Sequence, residues 1–331
     1  MTQPEPVLGD EQIAHFVAHG WVKIPQAFSA EKAEQWQRGL WDRLGYDKDD
    51  RSTWREERIH MPDHKRERVA TFAPKAWAAI CELLGGEERI DPEYATWNDQ
   101  FIVNLGKPEW EGDVHIEPQN LDNWHLDGDF FVHFLDSREQ ALLVIPIFSE
   151  IQPRGGGTYI CPDGLTRNAR YLAEHPEGVH PTGLSFTSAH DVGKPDPPRW
   201  EHLKEVKKCN EFVEVTGSPG DVYLLHPLML HSASKNHLRI PRVITNPPVA
   251  LKQPFCFARA NEGEYSVVER TTLRALGVDK FDFKITGERK FLVPERVKRQ
   301  ARMLAVEKAR LAALANQTGV DAPANTVTAA A

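Results

Sequence analysis

The chain has no excess of basic residues, no long apolar run and little cysteine, and each shortage closes off a class of function. Its 40 lysines and arginines are outnumbered by 48 aspartates and glutamates, for a net charge of -8 and a pI near 6.0. Without an extended basic surface, nothing would release counterions from a phosphate backbone, so no nucleic-acid partner is expected. No stretch approaches the roughly 20 apolar residues that span a bilayer, and Met1-Thr2-Gln3-Pro4-Glu5-Pro6 lacks the basic and apolar regions of a secretory signal. The expectation is a cytoplasmic protein with no membrane partner. Cys81, Cys161, Cys209 and Cys256 are widely spaced with no Cys-x-x-Cys, which suggests neither a zinc ribbon nor a disulfide framework. No internal repeat is present. What remains is a chain of 331 residues with a small-molecule partner as the default.

The chain opens with helical spacing. Ile13, Phe16 and Val17 lie between Asp10, read as a cap, and Gly20; a short alternating strand follows at residues 21–25. Ser29 is expected to cap a second helix that buries Ala33, Trp36, Leu40, Trp41 and Leu44. Residues 47–70 are dense in charge and read as a solvated loop. A third helix is expected from Pro74 to Leu84, stopped by Gly85-Gly86. From Thr96 the period changes to two, with strands expected at 99–105, 130–135, 140–148, 157–161, 212–215, 220–231 and 241–245. About eight antiparallel strands with flanking helices point to a jelly roll. Residues 181–198, rich in proline and glycine, show no sustained period and read as a loop or lid. A charged, alanine-rich helix is expected from residue 294 to 314. The small polar residues 316–331 read as a disordered tail.

Two stretches carry the chemistry. In His125-Leu126-Asp127, an extended chain points residues i and i+2 to one face and so sets an imidazole beside a carboxylate. A hundred residues on, the apolar run 220–231 ends in His231, a third potential ligand, with His226 as its competitor. His226 precedes a proline within the run, whereas His231 stands at its end, where an ion is reachable. Two histidines and one carboxylate on one face of an ion leave positions open, the arrangement of non-haem Fe(II) oxygenases. Arg242 follows, able to clamp a carboxylate through two parallel hydrogen bonds. Arg239 is its rival, and the odd separation means that only one of the two should face inward.

The His-x-Asp at 125–127, the Gly-Asp-Val-x-Leu-x-His-Pro-Leu-x-x-His at 220–231, the glycines 155–157 and Arg242 resemble the phytanoyl-CoA dioxygenase family of Fe(II)/2-oxoglutarate oxygenases. The likeness extends more weakly over residues 10–250. It implies a mainly β fold with flanking helices, with a double-stranded β-helix (jelly-roll, cupin-like) core. As a single domain this would comprise helices over 8–86, the core over about 96–250 and a helical extension over about 264–315. It implies Fe(II) on His125, Asp127 and His231, with 2-oxoglutarate held by Arg242 and aided by Thr158 and Asn104. O2 would be consumed, and succinate and CO2 released, as a small organic substrate is hydroxylated, desaturated or cyclised. Candidate substrate contacts are Gln100, Phe131, Ser232 and Ser234, although Gln100 and Asn104 could equally face water while Phe101, Val103 and Leu105 face the core. Two other classes stay open: a hydrolase or isomerase using the same ligands on zinc or manganese, and a jelly-roll protein that binds without turnover. Arg242 separates them, because that chemistry has no need of it. A monomer or a homodimer is expected, with the C-terminal helix packed against its own sheet in preference to pairing with another copy.

Overall fold

The computed structural model describes residues 6–112, 114–181, 199–200 and 202–318. Most of the expected lid, residues 182–198, and most of the expected tail, residues 319–331, lie outside the described residues. In chain order the opening elements are α1 (Asp10–His19), β1 (Trp21–Ile24), α2 (Ala30–Gln37), α3 (Leu40–Leu44), β2 (Arg58–His60), β3 (Arg66–Arg68), α4 (Val69–Phe72) and α5 (Pro74–Leu84). The middle of the chain holds β4 (Thr96–Asn98), β5 (Ile102–Asn104), β6 (Leu142–Pro146), β7 (Thr158–Cys161), α6 (Gly164–Glu174) and α7 (His202–Val206). Then come β8 (Val213–Val215), β9 (Val222–Leu225), β10 (Leu230–Ala233), β11 (Arg242–Ile244), β12 (Pro248–Val249), α8 (Val267–Leu276) and α9 (Glu295–Thr318).

The result is a mixed fold of helices and short antiparallel sheets. Among the described residues the sheets run β1-β9-β6-β12, β10-β7-β8, β11-β5-β2 and β3-β4, and every pairing within them is antiparallel. Isolated bridges tie sheets together, notably Ile147 to Ile244 and His125 to His231. The core between sheets and helices is aromatic: Trp36, Phe72, Trp97, Phe28 and Phe148 are buried in mutual contact, with Trp36 and Phe72 ring centroids 4.3 Å apart.

Several local expectations are revised. Gly9, not Asp10, is the cap of α1; its N–H donates to Gln12 Oε1 while Asp10 and Glu11 sit in the first turn, where the helix dipole favours negative charge. Ser29 does cap α2, its Oγ accepting from Lys32 N–H at 3.1 Å, but the helix breaks before Gly39, whose φ of 78° no helical residue adopts, and restarts as α3. The charged stretch 47–70 is not a plain loop, since it contains β2 and β3. The segment 130–135 forms only isolated bridges at Phe131 and His133, and α6 had no counterpart in the sequence reading.

The largest revision concerns 220–231, which is two strands rather than one. Pro227 lacks the N–H a ladder needs, and the chain turns there: Met229 N–H donates to the His226 carbonyl at 2.9 Å. β9 stays in the first sheet beside β1 and β6, while β10 leaves for the sheet with β7. His231 is therefore the second residue of its own strand.

Candidate metal centre and its two chambers

The turn at Pro227 brings His231 to the segment around residue 125. The two histidines exchange backbone hydrogen bonds, His125 N to His231 O at 2.9 Å and the reverse at 3.1 Å. That close pairing sets their rings 4.3 Å apart, centroid to centroid. Each Nδ1 lies against a backbone carbonyl, Asn123 O at 2.6 Å for His125 and Met229 O at 3.0 Å for His231. A carbonyl only accepts, so both protons sit on Nδ1 and both Nε2 lone pairs are left free. They point at one oxygen: Asp127 Oδ1 is 3.4 Å from His125 Nε2 and 3.6 Å from His231 Nε2. The other oxygen, Oδ2, accepts from Asn246 Nδ2 at 3.1 Å, which fixes the plane of the carboxylate.

Three lone-pair donors thus converge within 4.8 Å of one another. Ligands about 2.1 Å from a common divalent ion stand about 3 Å apart when adjacent, so the donor set fits such an ion with little adjustment. Enclosure works against ionisation of Asp127, yet His231 and His125, when protonated, outweigh it and hold the carboxyl well below its usual range, and a cation in place of those Nε2 protons acts in the same sense. His226 does not join them. It is buried, its Nε2 lies 2.9 Å from Thr272 Oγ1, and its Nδ1 accepts from Leu228 N–H at 3.1 Å. A second cluster of Cys161, Asp163 and Cys209 also brings ligand atoms together. There, however, Asp163 already accepts from the backbone of Asn210 and Glu211.

Two cavities of about 420 Å³ each adjoin the triad and share His60, Ile102, His125, Asp127 and Asn246. The first is walled by alternate residues of short strands: Arg58 and His60 of β2, Leu143 and Ile145 of β6, His231 and Ala233 of β10, Arg242 and Ile244 of β11. This is the period-two rule acting on four strands at once. Glu57, Asn123, Thr158 of β7 and Arg299 of α9 complete it. Arg242 is only 1 % exposed. Its Nε donates to Gly156 O at 2.9 Å and its Nη1 to Ile102 O at 3.2 Å, and no carboxylate pairs with it among the described residues. Burial, helped by Arg58, lowers its pKa to about 9, the signature of a cation short of a counter-ion. His60 is exposed to solvent by surface area, but the crowding of protein around its ring together with Arg242 and Arg299 lowers its pKa to about 4.

Asn104 was expected to contact a cosubstrate, but it does not line either cavity. Its Nδ2 donates to Gly156 O at 3.2 Å and Ser234 O at 2.9 Å, and its Oδ1 accepts from Gly106 N–H. Asn104 and Arg242 therefore hang on the same Gly156 carbonyl, which makes Asn104 a support for Arg242. At Gly156, φ is +79° and an added Cβ would lie 2.6 Å from Asn104 Nδ2, so only glycine fits this junction. Ser232 and Ser234 are corrected by the same alternation that selects His231 and Ala233: they face away and bond to the carbonyls of Ala233 and Lys235. Phe131 is buried with its ring stacked on His133 at 4.5 Å; its neighbour Phe130 lines the second cavity instead. Gln100 does reach that cavity. Arg239 turns out buried as well, but away from the triad: its φ of 50° takes it out of the strand, over the Trp54 ring and onto Glu111 at 3.3 Å.

Among the lining residues that the sequence reading did not single out are Asn246, Arg58, His60 and Arg299. Asn246 continues the series 242, 244, 246 on one strand face, a signal that was there to use. Arg58 and His60 show the same step of two inside a run whose charge hid it. Arg299 arrives on a helix far along the chain and leaves no local signal.

No protein-family model matches the chain, and no curated protein matches it. Similar solved structures include HygX from Streptomyces hygroscopicus with nickel and 2-oxoglutarate bound, at 16 % identity over 76 % of this chain and 90 % of that one, with a TM-score of 0.42. The epimerase SnoN in complex with Fe3+, alpha ketoglutarate and nogalamycin RO is 16 % identical over 75 % of this chain and 84 % of that one, with a TM-score of 0.40. EctD from S. alaskensis in its apoform is 19 % identical over 76 % and 78 %, with a TM-score of 0.37. Likeness of this degree assigns no function.

Proposed function

We propose that the chain is an Fe(II)/2-oxoglutarate-dependent oxygenase of the phytanoyl-CoA dioxygenase type, acting on a small organic molecule. The observation that supports it is the shared cavity: a two-histidine, one-carboxylate donor set and a buried arginine without an acid open into the same space. In this reading residues 1–331 form one domain around a jelly-roll core, working in the cytoplasm as a monomer or homodimer.

His125, Asp127 and His231 would hold the iron. Bound there, iron and 2-oxoglutarate supply the oxidising power, since decarboxylation of the oxoacid to succinate and CO2 activates O2 for attack on a C–H bond. The chain's own part is binding and positioning. Met229 and Asn123 carbonyls hold the proton of each neutral ring on Nδ1, so that Nε2 is the ligand atom, and Asn246 keeps Asp127 turned toward them. Arg242 receives the distal carboxylate of the oxoacid, with Thr158 on the same wall, and the apolar Leu143, Ile145 and Ile244 keep water from the pair. The arginine fork is suited to a carboxylate because it donates two parallel bonds.

Calorimetric titration of the Mn(II)-loaded protein with 2-oxoglutarate tests this. Charge-assisted hydrogen bonds contribute roughly 1.5 to 3 kcal/mol each, so Arg242→Ala should bind about ten to several hundred times more weakly, with metal content unchanged. Arg242→Lys should fall between. No binding by the wild type, or wild-type affinity in Arg242→Ala, would overturn the assignment and leave the zinc or manganese hydrolase reading standing.

A further inference from the structure

The second chamber differs from the first in electrostatics. The arginine-lined cavity gathers three cations, Arg58, Arg242 and Arg299, against two carboxylates, Glu57 and the shared Asp127. Across the triad, the other is lined by the amides of Asn98, Gln100, Gln140, Asn246 and Gln300, with the rings of Tyr94 and Phe130. Two groups of fixed charge border it besides Asp127, and they cancel: Arg296 grips Asp129 through Nε at 2.6 Å and Nη2 at 2.7 Å. An ion entering this chamber would shed part of its water and meet, besides the ion-facing Asp127, only charges that are already paired with each other.

Gln140 adds a second, independent observation. Its side chain borders the chamber and is 4 % exposed, and its Nε2 is enclosed with no hydrogen-bond partner among the described residues. A buried amide left unsatisfied is costly unless something outside the chain completes it. Rotation about χ3 presents either its N–H or its carbonyl to the chamber. Each lining amide is both donor and acceptor, and the group that answers both at once is the hydroxyl. A volume of about 420 Å³ is enough for one small ring or a short chain.

We propose that the second chamber binds an uncharged, polyhydroxylated molecule, and that Gln140 is a specificity-determining residue that reads one of its hydroxyl groups. This rests on the function proposed above in one respect: the chamber opening on the triad is taken as the place of the molecule to be oxidised. The anionic oxoacid and the neutral substrate are then sorted by charge, each to its own side of the donor set.

The test uses the full chain loaded with Zn(II) and 2-oxoglutarate, which binds without turnover, and a panel of matched probes followed by saturation-transfer NMR. Glucose and myo-inositol are the neutral members, glucuronate the anionic, glucosamine the cationic and cyclohexanol the apolar. The neutral polyols should bind at least ten-fold more tightly than the charged or apolar members, and Gln140→Leu should weaken them at least five-fold. Should Gln140→Leu fall short of the wild-type unfolding midpoint, Gln100→Leu, on the less enclosed wall, repeats the measurement. Charged members binding as tightly as neutral ones, no member binding, or variants with wild-type affinity would each overturn the proposal. A parallel titration with 2-oxoglutarate separates the two readings. Loss of oxoacid binding with polyol binding retained strikes the oxygenase reading alone, and the converse strikes the chamber assignment alone.

Discussion

His226 and His231 stand five residues apart on either side of one turn and meet opposite physical fates. His226 is enclosed, tied to Thr272 and to the Leu228 amide, and burial pushes its pKa down to about 3. His231 has its Nδ1 occupied and its Nε2 turned to Asp127. Iron analysis after anaerobic loading should therefore find His226→Ala metallated and His231→Ala empty; equal iron in both would sink the ligand assignment. The protonation of His226 also sets a pH dependence. An unfolded histidine takes its proton near 6.5 and the folded one only near 3, so its contribution to stability is complete above 6.5 and is lost as pH falls toward 3. The gap in unfolding midpoint between wild type and His226→Leu should shrink between pH 8 and pH 5, and a constant gap would refute this account. At this scale the sequence was informative where period two applied, as for the step from His125 to Asp127 and the run 242, 244, 246. The same rule, not carried through β10, would have excluded Ser232 and Ser234.

Among the elements, α8 shows how a helix start is fixed from outside. Ser266 and Glu269 form a reciprocal cap, Ser266 Oγ accepting from Glu269 N–H and Glu269 Oε2 from Ser266 N–H. Glu269 also accepts from Arg259 and Arg89. Burial would raise its pKa, but Arg259 and Arg89 with two backbone amides outweigh it and push the value to about 2. A depressed carboxylate contributes stability that is present above its unfolded value of 4.5 and lost as pH falls toward 2. On that basis Glu269→Gln should cost about 3 kcal/mol at pH 7, a loss that closes below pH 4.5; urea unfolding at several pH values measures it. A small, pH-independent cost would show that the arginines find other partners. The Ser-x-x-Glu pattern was readable in principle, yet its two arginines lie 180 and 10 residues away, and no local pattern specifies them. The α5 boundaries, set by Pro74 and Gly85, were legible because both signals are local.

On the scale of the whole molecule, α9 joins distant parts. It docks on its own chain: buried Glu307 accepts from Arg43 at 2.9 Å and lies 2.8 Å from His64 Nε2, while Arg296 holds Asp129. The same helix lends Arg299 to one chamber and Arg296 with Gln300 to the other. Glu307→Ala removes one acid from buried Arg43, which keeps Asp99 as a partner. Amide exchange over residues 295–318 should quicken, and 2-oxoglutarate affinity should fall several-fold through the freed Arg299; exchange unchanged from wild type would show that the helix is held elsewhere. Such long-range closure was not legible in the sequence, where residues 294–314 offered only helical composition, whereas the antiparallel strands around the triad were. The two chambers are also built from different material. The arginine side is mostly strand, held in register by backbone ladders, whereas the amide side draws on connecting segments, on Phe130 and Gln140 outside any strand, and on α9. Mutations can accumulate at Gln100, Phe130, Gln140 and Gln300 without shifting any ladder, so a chain built this way could exchange one bound molecule for another while its arginine-lined half stays intact.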